Sequence, residues 1–234
     1  MKKTLSCWIV FGVILLLIPV QKTQAEKVCN QDLQFCVVDL CQVPFGGTEK
    51  AVKNAYMFFQ KLGYEGKYPV TIVYQPEVLV NWSYGSVRIL GKYEENEKTV
   101  YLTCPKDPWI EGRNDFNIPM NDNFYATIVT HEVVHFLTNR FAGRKVEKIM
   151  SEYISYSAQI SLFESSTKDL LRQQYGTVTP FDVDDIDPSI MMLDPGIFGY
   201  KAYLSFRKNG GALIHKIIKE QFVSASAKWD FPPY

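Results

Sequence analysis

The residues His131-Glu132-Val133-Val134-His135 form an H-E-x-x-H run in a chain of 234 residues that holds only three histidines. Four residues is slightly more than one helical turn, so on a helix both imidazoles leave the same face. They can then reach a single ion, each at about 2.0–2.1 Å. Zn2+ is the expected ion. Glu132 stands beside the first histidine, where its carboxylate takes a proton from water at the ion rather than binding metal itself. Two of three histidines spent at this spacing is an odd choice for an ordinary core.

A catalytic zinc needs three protein ligands and one open position. An extended motif, with a glycine and a further ligand three and six residues beyond His135, is absent, because Thr138 and Phe141 occupy those places. The next helix offers Glu152. If the chain reverses near residues 142–145, His135 and Glu152 each lie about 9–10 Å from the reversal at 1.5 Å rise per residue. The two are then level across the helix pair. Glu147 would lie about 3 Å from the reversal, some 6 Å out of step. Glu152 is the expected third ligand.

Glu152 opens Glu-Tyr-Ile-Ser-Tyr-Ser-Ala-Gln, ending at Gln159. H-E-x-x-H followed by a glutamate on the next helix resembles the gluzincin group of zinc peptidases, which includes the thermolysin-like enzymes. More narrowly, the chain is similar to a family of small exported bacterial proteins. That family pairs H-E-x-x-H with E-Y-x-x-Y-x-x-Q, a later D-P-x-x-F-G-x-x-A-Y segment and a Gly-Gly pair. Here these are Asp194 to Tyr203 and Gly210-Gly211. The narrow resemblance covers most of the chain and implies metal binding, with proteolysis by analogy. The broad one covers residues 120–160.

One position departs from the thermolysin-like pattern. Those enzymes carry an aspartate four residues after the ligand glutamate to orient a zinc histidine, and Tyr156 stands there in this chain. Tyr156 and Gln159 share the Glu152 face and are the expected replacements for that support. The resemblance also implies an oxyanion donor from a later element, for which His215, Tyr200 and Tyr203 are candidates. The expected function is a zinc peptidase acting on a peptide or protein, with Glu132 as general base. The alternative is an exported zinc-binding protein without activity. A disulfide-bonded interaction domain with no metal is a third reading.

The rest of the chain must position this site. Lys2 and Lys3, an apolar run from Cys7 to Val20 and the segment ending at Ala25 read as a signal peptide over residues 1–25. One zincin-like domain over 26–234 follows, exported to the periplasm or secreted, with no stable membrane insertion. Cys29, Cys36, Cys41 and Cys104 remain, an even number with three possible pairings, and their spacing lacks the C-x-x-C pairs of a zinc ribbon. Twenty-five basic residues balance twenty-five acidic ones without a long run of either, which argues against nucleic acid as a partner.

Helical periodicity runs from Ala51 to Leu62, with Thr48 as N-cap and Gly63 as the stop. Pro69–Tyr74, Ser86–Leu90 and Thr99–Thr103 read as strands, the last two separated by a charged turn at residues 94–97. Helices are then expected over 122–138, 145–162, 199–206 and 212–222, with an extended acidic segment over 180–187. The fold class is α+β. It reads as a small zincin-like domain in which an N-terminal helix and a short, mostly antiparallel sheet precede a helical half.

Overall fold

The structure, a computed structural model, describes residues 25–82, 85–111, 113, 115–182 and 185–220. The signal segment through residue 24 and the end of the last helix at Phe222 lie outside the described residues. In chain order the elements are β1 (Glu26–Asn30), β2 (Phe35–Asp39), α1 (Phe45–Lys61), β3 (Val70–Gln75), β4 (Val78–Trp82) and β5 (Gly85–Ile89). There follow β6 (Gly91–Glu94), β7 (Thr99–Thr103), α2 (Pro108–Glu111), a 3-10 turn at Asp115–Asn117 and α3 (Asp122–Ala142). The helical half continues with α4 (Lys148–Ser161), α5 (Ser165–Tyr175), α6 (Pro188–Leu193), α7 (Pro195–Asn209) and α8 (Ala212–Glu220). The class is α+β, a small sheet followed by a helical half.

The main sheet has the order β1-β2-β3-β7-β6. Its centre is parallel, β2 with β3 and β3 with β7, while β1 and β6 close the edges antiparallel. The parallel centre goes beyond the expected mostly antiparallel sheet. It arises because α1 carries the chain back between β2 and β3, a crossover that only a parallel pair requires. Strand β5 pairs not with β7 but with β4, in a separate hairpin, and β6 takes the place beside β7. In β3 every second residue is inward: Val70, Ile72 and Tyr74 are buried.

Thr48 is not the cap of α1. The helix begins three residues earlier behind Pro44, and the Thr48 hydroxyl instead bonds Tyr74 Oη at 2.8 Å in the core. Two disulfides form, Cys29–Cys36 across the β1–β2 pair and Cys41–Cys104. The second joins the exits of β2 and β7, from which the chain runs on into the loop before α3.

Helix α3 starts where Asn121 Oδ1 accepts the Phe124 N–H at 2.9 Å, and it ends at Gly143, whose φ of 65° is the left-handed conformation glycine tolerates. The reversal after it is pinned by Asn139 Oδ1, which accepts the Val146 N–H at 2.9 Å. That reversal sets α4 against α3. On its other side α4 packs on α7, where Tyr153 donates to Ser205 Oγ and the Ser157 hydroxyl donates to the Ala202 carbonyl at 3.2 Å. The consequence is a layered stack, sheet and α1, then α3, α4 and α7, around one apolar core.

Candidate metal centre

His131, His135 and Glu152 converge at the α3–α4 seam, and no described residue outside them joins a comparable group. His131 Nε2 lies 3.1 Å from His135 Nε2, and Glu152 Oε2 lies 3.2 Å from the first and 3.6 Å from the second. A tetrahedral ion with bonds of about 2.05 Å places its ligand atoms about 3.3 Å apart. The three atoms therefore already form one face of such a tetrahedron, and the residues present fit a metal ion. Glu147, the position the level argument disfavoured, is the N-cap residue of α4 and stays outside this group.

The imidazoles are held from behind. His131 Nδ1 meets Gln159 Oε1 at 3.0 Å, and His135 Nδ1 meets Ser151 Oγ at 2.7 Å. With Nδ1 engaged in both rings, both Nε2 atoms point at the same spot, which is how a supporting shell fixes the metal-binding tautomer. Gln159 thus occupies the supporting position expected of it. Tyr156 does not accept from a histidine in this way; its ring stands edge-on to His131, with centroids 4.6 Å apart. Ser151 was not legible as a partner. It is one of several α4 serines, and nothing in the sequence separates it from Ser155 or Ser157.

The charges are strongly coupled. Burial alone would make the His131 imidazole easier to deprotonate, but the hydrogen bond and charge of Glu152, with Glu132 nearby, outweigh it and raise its pKa. Burial also opposes ionisation of Glu152, yet the charges and hydrogen bonds of His135 and His131 hold it well below the usual carboxylate range. Glu132 is raised, first by burial, against the pull of both histidines.

The raised His131 value sets the sign of a pH effect in metal-free protein. Stability from this group is complete below its ordinary value of about 6.5 and is lost as pH rises through the raised one. Metal needs the neutral ring, so the ion binds better in that same direction. The rise in Tm on adding zinc is therefore expected to grow from about pH 6 to about pH 8. At zinc about 100-fold above its Kd the gain is about 2.7 kcal/mol, or about 5–10 °C for a domain of this size. Scanning calorimetry with zinc and with chelator checks it; a Tm indifferent to zinc at both pH values refutes it.

Glu132 lies one residue along from His131, and the Tyr93 backbone of β6 is close enough to its carboxylate to offset a little of the rise in its pKa. The strand comes this close because Gly91 has no side chain. A Cβ there would stand 2.9 Å from Glu132 Cγ and 2.9 Å from Leu102 Cδ2. Gly91→Ala is expected to cost about 1–3 kcal/mol by overpacking and to displace Glu132 while metal content holds. Denaturant unfolding beside metal analysis reads both, and unchanged stability would show that the strand yields freely.

A cleft of about 670 Å³ opens beside this group and meets it at His131. His131, Glu132, Tyr156 and Gln159 line one side, the segment from Val87 to Gly91 another, and Asp194 to Gly196 a third. His215 and Tyr200 are not among its walls. His215 bonds Tyr64 Oη at 3.0 Å and stacks on that ring. Tyr200 is buried against Tyr175 and Tyr203. Tyr203 sits with Tyr200 in that packing.

Fold and site together define an α+β domain with a two-histidine, one-carboxylate group at a helix seam, reached from a cleft through His131. The chain belongs to a family of unknown function (DUF6639), whose model matches residues 49–227 and so takes in both helices of the site. No curated protein and no solved structure matches the chain.

Proposed function

We propose that the protein is an exported zinc-dependent peptidase of the gluzincin type, in which His131, His135 and Glu152 hold Zn2+ and Glu132 is the general base. The observation that carries this reading is the 3.1, 3.2 and 3.6 Å triangle of ligand atoms with a second carboxylate, that of Glu132, beside it. A purely structural zinc site closes with four ligands and has no use for such a group. When bound, zinc supplies Lewis acidity that brings a water's pKa towards about 7 and polarises a carbonyl.

The chain's own residues supply the rest. Glu132, buried and with a raised pKa, takes a proton from water and returns it to the leaving amine. Gln159 and Ser151 keep the imidazoles aimed. Strand β6 borders the cleft and, among the described residues, pairs only with β7, so its outer edge suits an extended peptide. Tyr156, on the cleft wall with its ring against His131, is the group we assign to a developing oxyanion in place of His215 or Tyr200. Two disulfides support an oxidising compartment, periplasmic or extracellular, and no helix among the described residues is long and apolar enough to cross a membrane.

The test is hydrolysis of a mixed peptide library by zinc-loaded protein, its loss on chelation and its return with zinc. The rival reading, a zinc-binding protein without activity, is favoured by the absence of His215 and Tyr200 from the cleft. Stoichiometric zinc with no cleaved peptide would establish the rival.

A further inference from the structure

We infer that Thr127 is a positioning residue that decides which ring nitrogen of His131 is left bare for metal. This rests on the metal site of the reading above and adds to it a residue of α3 outside the ligand group. Gln159 Oε1 stands 3.0 Å from His131 Nδ1, and Gln159 Nε2 donates to Thr127 Oγ1 at 3.5 Å. All three side chains are buried, Gln159 being only 3% exposed. An amide in that place has two orientations. With its oxygen towards the ring it calls for Nδ1–H and leaves the Nε2 lone pair facing His135 and Glu152. Turned over, it presents N–H to Nδ1, which must then accept, and the ring proton moves to Nε2, the nitrogen that a metal needs bare.

Gln159 alone does not choose between the two. Thr127 does, because its single hydroxyl proton is committed: Oγ1 donates to the Phe124 carbonyl at 2.6 Å, one turn back in α3. The oxygen can then only accept from Gln159, so the amide turns its NH2 to Thr127 and its oxygen to His131. Donation runs from His131 to Gln159 to Thr127 and ends on a backbone carbonyl, which never donates. His135 has no such chain. Its Nδ1 meets the Ser151 hydroxyl at 2.7 Å, and a hydroxyl both donates and accepts, so that contact suits either tautomer. The two histidines therefore differ. His131 is preset for metal from within the protein, and the ion itself selects the tautomer of His135.

The experiment compares the full chain as wild type, Thr127→Val and Thr127→Ser. Valine keeps the shape of threonine and removes the acceptor, whereas serine keeps the hydroxyl. Zinc affinity is read by competition with a chelating indicator. Ring tautomers are read by nitrogen-edited NMR of the metal-free protein, above the pH range in which the rings are charged. Wild type is expected to show His131 as the Nδ1–H tautomer. Thr127→Val is expected to gain the Nε2–H form at His131, with the His135 signals unchanged, and to bind zinc about tenfold more weakly, the lower end of what a lost support behind a metal histidine costs. Thr127→Ser should restore both. An Nε2–H tautomer at His131 in wild type would overturn the assignment without any variant. So would Thr127→Val with unchanged zinc affinity and tautomer, a change that strikes both histidines alike, or a loss that serine does not restore. If wild type takes up no zinc, the metal reading falls, while the wild-type tautomer still tests Thr127.

Discussion

Protein carrying Glu152→Ala will leave purification with little or no zinc, whereas wild type is expected to carry about one ion per chain. Glu152 supplies one of three converging atoms, and removing it leaves two imidazole nitrogens 3.1 Å apart with no third ligand atom facing them. Loss of a supporting hydrogen bond alone costs such sites about 10–100-fold in affinity, so loss of a ligand should exceed about 100-fold. Glu147→Ala is the control, since that residue stands at the start of α4 outside the group, and its metal content should equal wild type. Elemental analysis after dialysis decides it. Unchanged zinc in Glu152→Ala would remove Glu152 from the site.

Glu132→Gln should do the reverse, keeping zinc while losing hydrolysis. The amide is nearly the size of the carboxylate and can still fit against Gly91, but it cannot take a proton. A positioned general base contributes about 10²–10⁴-fold, so kcat should fall by that factor, with peptide affinity little changed. Paired measurements of kcat and metal content separate the roles. Full activity in this variant would leave the metal site standing and end the assignment of Glu132 as base.

The site was largely legible because it obeys helix arithmetic. The i, i+4 histidines and the level glutamate depend only on rise per residue and the place of one reversal, and Asn139 and Gly143 put the reversal where the argument needed it. What lay beyond that arithmetic was not legible. Gly91 and Tyr93 reach Glu132 from a strand about forty residues upstream, through a register set by β7 rather than by local pattern. Strands β1 and β2 were missed because each spans only five residues and β1 shows no alternation of burial, Lys27, Val28 and Cys29 all being exposed. His215 and Tyr200 were offered on residue type alone, and their partners, Tyr64 for the first and Tyr175 with Tyr203 for the second, are tertiary facts that local pattern does not carry.

Ser151, Glu152 and Gln159 all ride on α4, so one rigid body carries a ligand and both props of the histidines. That body is seated by α7. At Gly199 a Cβ would stand 2.9 Å from the Tyr156 ring, and the Ala202 carbonyl takes the Ser157 hydroxyl. Lesions that read out as zinc deficiency should therefore map to α7 as well as to the ligands. In a random mutant collection screened for metal loss, the hits on α7 would trace the seat of α4, a hidden footprint of the ion on residues that never meet it.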